Sequence, residues 1–282
     1  MNLEISPELA NRVQLIASDL DGTMLYGHST FSPRVKSAVS AAHAAGIQVV
    51  AATGRAVSYF PDALRDIEVR YAIASNGAVG YDLKTNDVLF ATYLEAQVIA
   101  KIVDYLTDIC PGVTFGSSQD AGATMLVEQD YYEFAMKEDN YPPDFSLQIV
   151  EIAEIMSKTA VKFTARHPQV TSDELFEALE KSDIDGYTAT TSGAPFVEIA
   201  AHGVDKSTGI AKLCKALKIP REGVVTVGDA RNDINMIQWA AYGAAMADAA
   251  AQTKAAADGI TASNKEDGVA VLIEKILQAR TV

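Results

Sequence analysis

Two aspartates, Asp19 and Asp21, stand in the run Ser18-Asp19-Leu20-Asp21-Gly22-Thr23, where the apolar residues 13–18 run out. In an extended chain residues i and i+2 share a face, so the two carboxylates start out pointing the same way. Crowded carboxylates repel in a low-dielectric cleft unless a cation sits between them or one keeps its proton. A hard divalent ion with oxygen ligands answers that need. Gly22 permits a tight turn that aims backbone N–H groups at a phosphoryl oxygen. An exposed Asp-Gly turn is the competing reading of this stretch.

A second acidic set, Gly228-Asp229-Ala230-Arg231-Asn232-Asp233, follows the apolar residues 224–227 and precedes Ile234 and Ile237 at helical spacing. Asp229 and Asp233 thus lie at another strand C-terminus and offer more oxygen ligands. Helix capping by Asp229 or Asn232 explains either residue singly, but not both carboxylates together. Thr53-Gly54-Arg55 ends a third apolar run, residues 47–52. A hydroxyl and a glycine N–H there can grip a phosphoryl group, with a helix dipole in support. The rival readings are an N-cap for Thr53 and a surface ion pair for Arg55. Lys206 opens a helix, where the macrodipole disfavours a cation. A lysine pointing across a cleft at carboxylates and phosphate accounts for that position.

These residues need a frame that collects strand ends. Residues 13–18, 47–52 and 71–75 are short, apolar and strand-like, and the segments between them carry helix signals. Ser32 and Pro33 read as N-cap and first helical residue, Val35, Ala38, Val39 and Ala42 as one face, and Gly46 as the glycine beyond the end. Alternation of this kind predicts an α/β fold with a doubly wound, mostly parallel sheet, whose strand C-termini form the ligand edge. Between residues 84 and 192 the texture changes to many strands and two clear helices, near 98–106 and 175–179, which predicts an inserted α+β domain. Residues 131–144 read as irregular or a short helix. After Phe196 the βα rhythm returns, with helical faces at 210–217 and 269–276. The expected division is 1–83 with 193–282 as one domain and 84–192 as the other.

The bulk numbers narrow the function. Lys+Arg 23 against Asp+Glu 37 gives 23 − 37 = −14, a field that repels nucleic acid and anionic membranes. It also repels a phosphorylated small molecule, so a phosphate site here requires a local cation or metal. Two cysteines, Cys110 and Cys214, form no CxxC pair and imply neither a disulfide framework nor a zinc site. No apolar run approaches the ~20 residues that span a bilayer, and the first residues lack a leader pattern. The expectation is a cytoplasmic, unprocessed chain. The four histidines, His28, His43, His167 and His202, show no ligand or nucleophile spacing. Trp239 reads as core, and Tyr131, Tyr132 and Phe134 as a small apolar cluster or a pocket lining.

Taken in order, DLDGT at 19–23, TGR at 53–55, Lys206 in GVDKSTG and GDARND at 228–233 resemble the four motifs of the haloacid dehalogenase-like superfamily. The insert, SNGA at 75–78 and SNKEDGVA at 263–270 resemble its Cof-type subfamily with a class IIB cap. The resemblance implies a magnesium-dependent phosphatase of small phosphorylated metabolites, sugar phosphates first. It implies that Asp19 attacks phosphorus and that Asp21 protonates the leaving oxygen and then activates water. Thr53 and Lys206 would hold phosphoryl oxygens, with Leu20, Gly22, Gly54, Arg55, Asn76 and Asn232 around the phosphate. Mg²⁺ would be held by the Asp19 carboxylate, the Asp21 backbone carbonyl and Asp229, with Asp233 as a direct or indirect ligand. Two departures are Met24 after the threonine and Ala247-Asp248-Ala249 where the family has Gly-Asn-Ala. The rival functions are a phosphomutase or phosphotransferase of the same superfamily, a signalling receiver domain and a non-catalytic sugar-phosphate binder.

Overall fold

The computed structural model describes residues 3–27, 29–138 and 147–280. His28 and part of the 131–144 stretch therefore lie outside the described residues. The first strands are β1 (Leu15–Ser18), β2 (Gln48–Ala52) and β3 (Tyr71–Ala74), which run parallel with β1 between β2 and a later strand. Every side chain of β1 and β3 is buried, as a sheet covered on both faces requires. Strands β4 (Val79–Asp82) and β5 (Asp87–Ala91) then fold back antiparallel at one edge.

The chain next builds a second sheet from β6 (Thr114–Gln119), β7 (Thr124–Val127), β8 (Leu147–Ile149), β9 (Lys162–Arg166), β10 (Tyr187–Thr190) and β11 (Val197–Ala201). Its order is β10-β11-β9-β6-β7-β8. One face packs under the helices Ala96–Ile109 and Ser172–Glu180, with Phe115 stacked on Phe163 in that core. The other face, which carries Ser118, Lys162, Thr164 and Glu198, turns toward the first sheet. The chain returns through β12 (Val224–Gly228), β13 (Tyr242–Ala245) and β14 (Gly259–Ile260), completing the order β14-β13-β12-β1-β2-β3-β4-β5. This is the α/β architecture with an inserted α+β sheet that the alternation predicts.

Sheet membership departs from the expected limits at both ends of the insert. Residues 87–91 pair with β4 in the first sheet, and residues 197–201 pair with β9 and β10 in the second. A strand pattern identifies a strand but not its partner, and both segments sit next to a crossing between the sheets. The stretch at 131 forms a regular helix, Gln129–Glu138, anchored by the buried Tyr131 and Ala135, so Tyr131 and Tyr132 belong to a packing cluster.

Local signals explain the helices that frame the site. Ser32 accepts the N–H of Val35, Pro33 opens the helix Pro33–Ala44, and Gly46 takes φ 77° just beyond it. Asp205 caps the helix Lys206–Leu217 in a reciprocal box with Thr208. The two sheets meet along a seam of Ala121, Val161 and Ala200 against Ala74, Ala78 and Val79. Among the described residues no helix is long and apolar enough to cross a membrane.

Candidate active site

β1 delivers Asp19 at its C-terminal end, where the Asp19 N–H donates to the carbonyl of Val227. β12 delivers Asp229 and Asp233 beside it, because β1 and β12 are adjacent parallel strands in register. One carboxylate oxygen from each of Asp19, Asp229 and Asp233 lies within 4.8 Å of the others. Residues more than two hundred positions apart are thus brought to one rim of the sheet.

Lys206 enters this cluster from the first turn of its helix and is fully buried. Its Nζ donates to Asp19 Oδ1 at 2.5 Å and to Asp233 Oδ1 at 2.6 Å. The carboxylates outweigh the helix dipole and account for a cation at that helix end. Burial opposes the charge on Lys206, but Asp19 and Asp233 hold it firmly protonated. Burial, with Asp233 and Asp229 behind it, pushes the Asp19 carboxyl up against the pull of Lys206. Burial and Asp233 also push Asp229 up to about 6, although Thr23 donates its hydroxyl to Asp229 Oδ1 at 2.6 Å. The second oxygen of Asp233 accepts the N–H groups of Asp229 and Ala230, so this residue fixes the loop that carries Asp229.

The expected crowding of Asp19 and Asp21 around one cation is corrected here. The strand ends at Ser18, so strict alternation is lost by Asp21. Arg55 grips Asp21 through both oxygens, with Nε at 2.7 Å and Nη2 at 2.5 Å, and its guanidinium lies over the Tyr59 ring. Each aspartate therefore has its own cation, and the carboxylate crowding falls on Asp19, Asp229 and Asp233. Arg55, expected beside the phosphate or in a surface ion pair, is a partly buried clamp on Asp21.

The remaining expected residues sit around this centre. Thr53 is buried at the end of β2, and its hydroxyl accepts the N–H of Arg55. Leu20 is a core residue whose carbonyl accepts the N–H of Leu25, closing the turn. Gly22 adopts φ 78°, and a Cβ there would come within 2.6 Å of Asp229 Oδ2, so glycine is required twice over. The turn Ser75-Asn76-Gly77 has positive φ throughout and is tied to the Thr53 loop, with Ser75 N donating to Arg55 O and Asn76 N to Thr53 O. Asn76 Oδ1 accepts from Asn232 Nδ2 at 3.0 Å, which links the β3 and β12 loops. Among the described histidines none joins the carboxylate cluster.

A cleft opens between the sheets, lined by Asn76, Lys162, Glu198, Lys206, Arg231 and Asn232. Lys162 and Glu198 come from the second sheet and were not singled out in the sequence. The available signal was a charged residue inside each of two apolar strands, Ala160-Val161-Lys162-Phe163 and Val197-Glu198-Ile199. Asn264 was also missed, and its side chain donates to the carbonyls of Thr23 and Leu25, bracing the turn after Asp19.

Comparison with known proteins identifies the family. The family model described as haloacid dehalogenase-like hydrolase matches residues 16–273. YxeH of Bacillus subtilis strain 168 is 30% identical over 272 residues, covering 95% of this chain and 99% of its own. Phosphatase YwpJ of the same organism is 26% identical over 302 residues, covering 94% and 100%. The solved structure of the HAD subclass IIB sugar phosphatase BT4131 superimposes with TM-score 0.81 at 24% identity, covering 93% of this chain and 98% of that one. A match that spans nearly the whole chain and begins within the strand bearing Asp19 settles the lineage: this chain belongs to the haloacid dehalogenase-like hydrolase family.

Proposed function

We propose that the protein is a magnesium-dependent phosphatase that hydrolyses small phosphorylated metabolites, sugar phosphates first among them, through a phosphoryl group carried on Asp19. The observation that carries this reading is the convergence of Asp19, Asp229 and Asp233 on one point with the buried Lys206 between them. That YwpJ is a phosphatase supports the reaction, and that BT4131 is a sugar phosphatase supports the substrate class.

The donor set fits a magnesium ion. Three carboxylates offer hard oxygens within reach of one centre, and the one buried ammonium among them, Lys206, offsets a single negative charge. Asp19 and Asp229 would hold the ion with the Asp21 backbone carbonyl, while Asp233, whose oxygens serve Lys206 and two loop N–H groups, positions Asp229. When bound, the ion supplies positive charge that offsets the phosphoryl oxygens beside an anionic nucleophile.

Asp19 then attacks phosphorus, the bond to the leaving oxygen breaks, and the carboxylate carries the phosphoryl group. Lys206 and the Thr53 hydroxyl hold phosphoryl oxygens as negative charge spreads over them. Asp21 stands on the more open side, its side chain 35% exposed against 8% for Asp19, where a leaving group or a water can reach it. It donates a proton to the departing oxygen and then takes one from the water that attacks phosphorus, which breaks the bond to the Asp19 carboxylate and releases inorganic phosphate. Arg55 holds both oxygens of Asp21, so acting at the leaving oxygen requires Asp21 to release one of them. The second sheet, β6 to β11, with the helices packed on it, serves as the cap over the leaving group.

The test is phosphate release from para-nitrophenyl phosphate with and without Mg²⁺. Activity should depend on the ion, vanish in Asp19→Asn and fall strongly in Asp21→Asn. Full turnover by a pure Asp19→Asn sample removes the assignment.

A further inference from the structure

The polar inventory of the cleft is unbalanced in one direction. Its cations already have partners: Lys206 serves Asp19 and Asp233, and the guanidinium of Arg231 lies 4.7 Å from the centre of the Phe176 ring. Lys162 donates to the carbonyl of Gly54 at 2.7 Å and to Glu198 Oε1 at 3.1 Å. The buried polar atoms without a partner along the cleft are Glu198 Oε2, Asn232 Oδ1 and Ser75 Oγ. Two of these can only accept a hydrogen bond, and a buried acceptor left unsatisfied is unfavourable unless something completes it.

Glu198 is only 3% exposed and sits on β11 opposite Thr164 and Thr190, on the face turned toward the first sheet. Lys162 pins one of its oxygens and balances its charge, which leaves the other oxygen free to accept but with no need of a second cation. Resting on the phosphatase reading above, we infer that Glu198 is a specificity-determining residue of the cap, accepting hydrogen bonds from hydroxyl groups of the leaving portion of the substrate. Asn232 Oδ1 offers a second acceptor nearer the phosphoryl end, because Asn232 belongs to the loop that carries Asp229. The molecule that completes the cleft brings donors on an uncharged chain, which is the chemistry of a polyol or sugar. An ammonium would oppose Lys162, and a bare alkyl chain would leave Glu198 Oε2 unsatisfied.

Two substrates with the same carbon chain separate these cases: sorbitol 6-phosphate, which carries hydroxyls, and hexyl phosphate, which carries none. The wild type should favour sorbitol 6-phosphate in kcat/KM by about a hundredfold, since a site built around hydrogen-bonded hydroxyls rejects analogues that lack them. Glu198→Gln should cut that preference by about tenfold or more, with the loss on sorbitol 6-phosphate far exceeding the loss on hexyl phosphate. Calorimetric binding of both compounds to Asp19→Asn, with and without Glu198→Gln, reads the same preference without turnover. It separates failure of this inference from failure of the phosphatase reading. A wild-type preference near one overturns the inference. So does equal loss on both compounds, or tighter binding of 6-aminohexyl phosphate than of sorbitol 6-phosphate. If Glu198→Gln does not fold, a wild-type or Asp19→Asn preference near one still overturns the inference.

Discussion

Replacing Lys206 with methionine keeps the volume of the side chain and removes its charge. In the native protein the ammonium has no solvent exposure and lies 2.5 and 2.6 Å from two carboxylates that are themselves buried. Swapping a whole buried ion pair for apolar groups can be neutral, but taking one partner away strands the other, at about 3–5 kcal/mol. Here two carboxylates are stranded, with Asp229 within reach of both, so the upper part of that range is expected in buffer free of divalent ions. Magnesium should restore part of the loss, because any ligand of the folded state alone stabilises by RT ln(1 + [L]/Kd), about 2.7 kcal/mol at a hundred times Kd. Urea unfolding of wild type and Lys206→Met, with chelator and with Mg²⁺, measures both quantities. A deficit below about 1 kcal/mol without the ion, or one that does not shrink when the ion is added, would refute the picture of Lys206 as the charge that holds these carboxylates together.

Two other outcomes follow from single residues. Gly22→Ala places a methyl against Asp229 Oδ2 in a backbone of φ 78°, so Mg²⁺ affinity measured by calorimetry should fall by about tenfold or more while the fold is retained; unchanged affinity would contradict the tight turn. Burial works against the charge of Asp82, but Arg70 and the N–H groups of Lys84 and Thr85 outweigh it and hold the carboxyl below its ordinary range. A lowered carboxyl stabilises the fold above its unfolded pKa, near about 3.9, and ceases to do so as pH falls through the folded value. The gap in urea midpoint between wild type and Asp82→Asn should therefore be steady from pH 6 to 8 and close below pH 4. A gap that persists in acid would reject that role.

Much of this was legible because local chemistry announces itself. Ser32, Pro33 and Gly46 bracket a helix whatever packs on it, and Lys206 looked misplaced at a helix start because only a cluster of carboxylates compensates that dipole. The cluster itself could be read as strand ends, since parallel strands bring their C-termini to one side. The pairing of Asp21 with Arg55 could not, because it joins residues 34 positions apart through side-chain reach rather than through any repeat. The same holds for Lys162 and Glu198, each a charge among apolar neighbours in a strand whose sheet and face the pattern leaves open. The sheets to which β5 and β11 belong were not legible either, as alternation reports which residues are buried and not what covers them.

The seam between the sheets has a mechanical meaning. Gly209 packs directly on Gly77, so the turn bearing Asn76 and the helix bearing Lys206 are locked backbone to backbone into one stiff block. Any parting that admits a molecule must then fall along the line where Ala121, Val161 and Ala200 meet Ala74, Ala78 and Val79. Contacts made of methyl and short branched groups bury little area apiece, so they come apart and rejoin with small energetic penalty and leave no deep hollow behind. The alanines keep the buried part of that boundary shallow, with Val57 and Phe60 packed at its margin.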